Sequence, residues 1–150
     1  MTRNADVLTP LTAKTSEWLD DLCKLLDTDD RRTAYTTMRA VLHALRDRLT
    51  TDETAQLAAQ LPMLIRGMFY EGWDPHARRP RMHRSAFLEE VLEAARASSV
   101  SECERMVRAV LDLLAARVSH GEISDVQHLL PHDIRNLWSH VEPVPGRGSA

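Results

Sequence analysis

The feature that most constrains this chain is that it resembles itself. Slid along itself until Arg39 lies on Arg108, the sequence aligns with its own second half without a gap, and Arg39-Ala40-Val41-Leu42 falls on Arg108-Ala109-Val110-Leu111. Leu45, Arg48 and Glu53 meet Leu114, Arg117 and Glu122, Leu61-Pro62 meets Leu130-Pro131, and Ile65-Arg66 meets Ile134-Arg135. Between 18–69 and 87–138, 12 of 52 positions are identical, and pairs such as Trp18 with Phe87 and Phe69 with Trp138 are conservative. Chance does not give this without a gap. Self-similarity at a fixed period means one structural unit used more than once, so the fold must be read as a pair of like units.

Each unit reads as four helices. The first covers about 16–27, or 85–96 in the second copy, with Trp18, Leu22, Leu25 and Leu26 at helical spacing. The second, about 30–49, carries Met38, Val41, Leu42, Leu45 and Leu49 on one stripe, repeated as Val107, Val110, Leu111, Leu114 and Val118. Steps of three and four residues place these side chains on one buried face. Thr50-x-x-Glu53 and Ser119-x-x-Glu122 match a capping box at the start of the third helix, and Ser101-x-x-Glu104 has the same form near the start of the sixth. Pro62 and Pro131 suit the first turn of a fourth helix, which buries Ile65, Met68 and Phe69, or Ile134, Leu137 and Trp138. No stretch alternates long enough for a strand. The expected fold is all-α: two tandem four-helix units, 16–70 and 85–139, joined by loop 71–84 and packed into one helical domain over 15–141. Residues 1–14 and 142–150 are expected to be a flexible start and a disordered tail.

RAVLHALRDRLTTDETAQLAAQLPMLIRGMFYEGWDP, followed by a second RAVL and a second LP-x-x-IR, resembles the bacterial domain of unknown function 2267. The resemblance covers about 16–139, and LP-x-x-IR-G-x-x-Y-x-GW is its most specific stretch. It implies a helical, internally duplicated fold and supplies no catalytic residues.

Composition excludes several functions. The net charge of -3 gives no concentrated positive field for nucleic acid or an anionic membrane. Of the 19 basic residues, Lys14 and Lys24 are the lysines and the rest are Arg, a bias expected of a GC-rich bacterial genome. Five glycines leave no phosphate-cradling loop, and no GxSxG, HExxH or paired Cys/His motif occurs. Cys23 and Cys103 stand apart, without zinc or redox spacing. Glu122, Asp125, His128 and His132 have near-helical ligand spacing, but Pro131 interrupts the helix between the two histidines and Glu122 is already engaged in capping. Neither a metal nor another cofactor is expected, and no catalytic residue is assigned. No apolar run approaches the length that a membrane-spanning helix needs, and the start is not of signal type. The cytoplasm is therefore the expected location, and no membrane is expected as a partner.

The doubled arginines Arg39, Arg48, Arg108 and Arg117 flank the apolar stripe, where boundary arginines lay their stems on the core and pair with carboxylates. What the first copy has and the second lacks is Tyr70 and Trp73, followed by Arg78, Arg79, Arg81 and Arg84. Arg66, one turn before Tyr70, could share its surface. Arg66, Tyr70, Trp73, Arg78 and Arg79 are therefore the candidate partner-binding residues, because aromatics and Arg dominate protein-binding hot spots. The linker could also engage phosphates, but Glu71 and Asp74 dilute its charge and nucleic acid is disfavoured. The expectation is a non-catalytic interaction or scaffold module with an unidentified protein partner, homo-oligomer included. A small-ligand or metal-binding sensor is the alternative.

Overall fold

A computed structural model describes residues 6–77 and 83–141. Among them are eight helices and no strand: α1 (Thr9–Leu26), α2 (Arg31–Arg46), α3 (Thr51–Ala58), α4 (Met63–Tyr70), α5 (Arg84–Ala95), α6 (Val100–Arg117), α7 (His120–Leu129) and α8 (His132–Arg135). The order is compatible with two sets of four. The expected arginines 78, 79 and 81, and the expected tail, lie outside the described residues.

The stripe positions of α2 and α6 are buried, with Val41, Leu42 and Leu45 matched by Val110, Leu111 and Leu114. They join Trp18, Leu22, Phe69, Phe87, Ile134 and Trp138 in one continuous core that crosses both units. Thr50 and Glu53 close a complete capping box on α3. The clearest structural counterpart of the repeat is an arginine. Arg66 Nε donates to Ala58 O at 2.8 Å and its Nη2 to Ala59 O and Leu61 O. Arg135 makes the same three bonds at the matching positions of the second unit, to Gln127 O, His128 O and Leu130 O. One guanidinium thus satisfies several carbonyls that the end of a short helix leaves free.

The units pack crosswise. α1 lies on α6 and α2 on α5, while α3 meets α7. Arg48 Nη2 reaches Glu90 of the second unit at 2.7 Å, its side chain fully buried and its guanidinium 5.5 Å above the Phe87 ring. Arg117 reaches back to Asp21 of the first unit, with Nε at 3.0 Å. Since Asp21 aligns with Glu90 and Arg48 with Arg117, the two pairs are reciprocal, the signature of a two-fold arrangement.

Several expectations need correction. α1 begins at Thr9 and not at 16, so much of the segment expected to be flexible is helical. Pro10 fixes a helical φ in the first turn. Asp6 accepts from Leu8 N at 2.9 Å and from the Thr9 hydroxyl at 3.0 Å. Leu25 is 45% exposed, because the buried edge of α1 runs through Trp18, Leu22 and Leu26 at steps of four, with Cys23 beside it. α2 stops at Arg46, short of 49. The sixth helix is capped by Ser99, whose side chain accepts from Glu102 N, and not by Ser101. Glu104 is drawn instead to Arg84 and Arg108. At α7, Ser119 Oγ accepts from Glu122 N, but its own amide donates to Gln60 Oε1 of α3 at 2.8 Å, so that box is only half formed. α8 is a single turn ending at Arg135, and Leu137 and Trp138 are buried from the turn that follows it.

Candidate partner-binding site

Three side chains on one face of α2 hold the end of α4. Arg39, His43 and Arg46 are spaced by four and three residues, so they align along the helix. Arg39 Nε donates to Glu71 Oε1 at 2.6 Å. His43 Nε2 is 2.7 Å from Met68 O. Arg46 Nη1 bonds both Phe69 O and Glu71 O at 2.8 Å, and its Nε pairs with Asp47 at 3.0 Å. Beyond the clamp, Gly72 takes φ +72, the left-handed conformation that suits glycine after a helix end. That reversal brings Trp73 N to Tyr70 O at 3.0 Å and sets the two rings 5.3 Å apart between centroids. Tyr70 in turn lies 5.7 Å from Phe69 in the core.

Behind this loop is a cavity of about 490 Å³ between the α2–α3 junction and residues 72–77. Arg46, Asp47, Arg48, Thr50 and Thr51 line one side, and Gly72, Trp73 and Asp74 the other. Its arginines carry their own counter-charges, Asp47 for Arg46 and Glu90 for Arg48. Thr50 Oγ1 is engaged by Glu53 N. The cavity is lined by the Trp73 side chain and the threonines Thr50 and Thr51 around compensated charges.

Of the expected site residues, Tyr70 and Trp73 come together, and Trp73 lines the cavity. Arg66 does not join them, because its guanidinium is committed to the end of α3. Arg78 and Arg79 lie outside the described residues; they directly follow Ala77, which lines the cavity. Sequence reasoning missed Arg46, Asp47 and Thr51. The signal was present in the same copy-against-copy comparison, since their counterparts are Ala115, Ala116 and His120. In the second unit Arg108 reaches the corresponding turn at Asn136 O and Leu137 O, and Asp112, the counterpart of His43, accepts from the Ser139 hydroxyl at 2.9 Å. Of the residues with near-helical ligand spacing, His128 turns its Nδ1 to Ser124 O at 2.7 Å.

The model of an uncharacterized conserved protein family, DUF2267, matches residues 15–137. The chain belongs to DUF2267. No curated protein matches it. The clamp, the Gly72 reversal and the cavity all lie within the residues that match DUF2267.

The clamp is expected to make the stability of the fold depend on pH through His43. Burial pushes the His43 imidazole below its ordinary value of 6.5, and Arg46 and Arg39 act in the same direction against the bond to Met68 O. On acidification the unfolded chain therefore takes up this proton first. The stability contributed by neutral His43 is complete above pH 6.5 and falls as the pH drops towards the lower folded value. His43→Gln keeps a donor but does not titrate. Between about pH 7 and 5 its melting temperature should decline less steeply than that of the wild type. Parallel profiles would refute the assignment.

Proposed function

We propose that this chain is a non-catalytic protein-interaction module of the bacterial cytoplasm, and that it meets its partner with the 72–77 loop and the cavity behind it. The single observation behind this reading is the asymmetry of the duplicated fold. Where the first unit has Tyr70 and Trp73 the second has Ser139 and Glu142, and Trp73 lines a cavity beside the end of α2. An indole that lines a cavity and is backed by a second aromatic ring is the kind of anchor on which binding energy concentrates. No described helix is long and apolar enough to cross a membrane, which agrees with the location proposed.

A second reading has its own support. The cavity of about 490 Å³ falls in the size range of small-molecule sites, so a ligand sensor built on the same residues is the alternative.

The test combines Trp73→Ala with Arg78→Ala and Arg79→Ala in the full chain. Partner capture from the native host should be lost while the melting temperature falls by less than about 5 °C, equivalent to one or two kcal/mol. A larger fall would make Trp73 a structural cap, and unchanged capture would make the loop only a connection. A thermal shift with a copurified small molecule, abolished in the variant, would favour the sensor.

A further inference from the structure

The fold has a second cavity, of about 240 Å³, where the start of α2 faces the end of α5. Thr33, Thr36 and Thr37 of α2 line it with the capping residue Asp30, and Ala95 of α5 and Met106 of α6 close it. In the repeat, Thr36 corresponds to Arg105 and Ala95 to Leu26. In that other half of the fold, Arg105 Nη1 donates to Leu26 O at 3.0 Å. The two helix ends are alike, since Asp27 after α1 and Arg96 after α5 both take the left-handed conformation, with φ 56 and 54. A helix end leaves its last carbonyls without partners inside the helix. At α1 an arginine of the other unit takes one up. At α5 the residue in that place is a threonine, too short to reach, and among the described residues no side chain donates to Ala95 O.

Two further groups on the wall are open to a donor. Thr37 is 0% exposed and its Oγ1 has no hydrogen-bond partner, a costly state for a buried hydroxyl. The Asp30 carboxylate accepts from Arg32 N at 3.0 Å and from the Thr33 hydroxyl at 2.9 Å, which leaves about half of its acceptor positions unused. We propose that this cavity binds the guanidinium of an arginine presented by a partner polypeptide, which stands where Arg105 stands in the other half and donates to Ala95 O and Asp30. Met106 and Ala95 supply an apolar wall for its methylene stem. Cavities that hold drug-sized ligands begin at about 300 Å³, so this smaller one seats a single side chain. Arg32 on the wall and Arg96 beyond Ala95 oppose the added charge, but both are exposed and their fields are screened by salt. Nothing in this site depends on the 72–77 loop or the cavity behind it.

The test is a titration of the full chain, followed through its amide NMR signals, with a short blocked peptide of alanines around one arginine. The amides of Thr36, Thr37 and Ala95 should shift. The same peptide with citrulline, which keeps the shape and lacks the charge, should bind about tenfold more weakly, because charge-assisted hydrogen bonds are the stronger kind. Equal binding of the two peptides, or no shift at these amides, overturns the proposal. Thr36→Arg should recreate the bond made by Arg105, melt about 2–4 °C higher and lose the peptide. Peptide binding retained in that variant, or a lowered melting temperature, breaks the correspondence with Arg105 and overturns the assignment. Arg32→Ala removes a repelling charge from the wall and should bind the peptide at least as tightly as the wild type; weaker binding counts against the site. Agmatine, a free alkylguanidinium, should bind no more tightly than the arginine peptide, and tighter binding would overturn the polypeptide as the source of the group.

Discussion

Cut between residues 77 and 78 and expressed apart, neither half of the chain should keep its helices. Each half is below about 80 residues, where a single core is marginal. Its helices are short enough that tertiary contacts must sustain them; α3 and α4 have 8 residues each. Separation removes those contacts, because the faces of α1 and α2 are covered by α6 and α5. It also parts Arg48 from Glu90 and from the Phe87 ring beneath its guanidinium, and exposes to water the faces the other unit covered, against a total stability of only about 5–15 kcal/mol. The intact chain should melt in one sharp transition, and each fragment should give a weak helical signal with no cooperative melt. Two sharp, independent fragment melts would show that the units are autonomous.

The next largest effect is expected in the core. Leu42 and Leu111 occupy the same place in the two units and are 0% and 1% exposed. Leu→Ala at either position removes three buried carbons and leaves a cavity that close-packed neighbours fill only in part. Each should cost about 2–5 kcal/mol, read as a lowered urea midpoint with little change in slope. α2 and α6 touch, so the two losses need not add. Even so, the double variant should be largely unfolded at 37 °C. Near-native midpoints for both single variants would mean that the buried face is misplaced.

These positions were legible in the sequence because a stripe that occurs once in each unit is two measurements of one buried face. Leu25 was misread because a single turn of α1 offers four apolar side chains, and periodicity alone does not say which edge a neighbour covers. The caps divide in the same way. The box at Thr50 is local in sequence and formed as expected, whereas the one at Ser119 was half displaced by Gln60, 59 residues away. The start of α1 was missed because Asp6 and Pro10 act ahead of any apolar stripe. Within the site, Tyr70 and Trp73 stood out as residues without a repeat. Arg66 looked available because one sequence shows a charge and not its acceptors, which are three carbonyls five to eight residues earlier.

The clamp at the end of α4 has one more consequence. His43 and Arg46 hold the oxygens of Met68, Phe69 and Glu71, and these are main-chain atoms that every amino acid possesses. The chain is therefore fixed by α2 as far as Glu71, while beyond it Gly72 supplies the reversal and the Asp74 carboxylate accepts from the His76 amide. Exposed positions such as His76 and Ala77 can change identity while that frame stays in place. A duplicated helical frame with one such interchangeable face can acquire a new recognition task by altering a few exposed letters, while the rest of the molecule goes on folding as before.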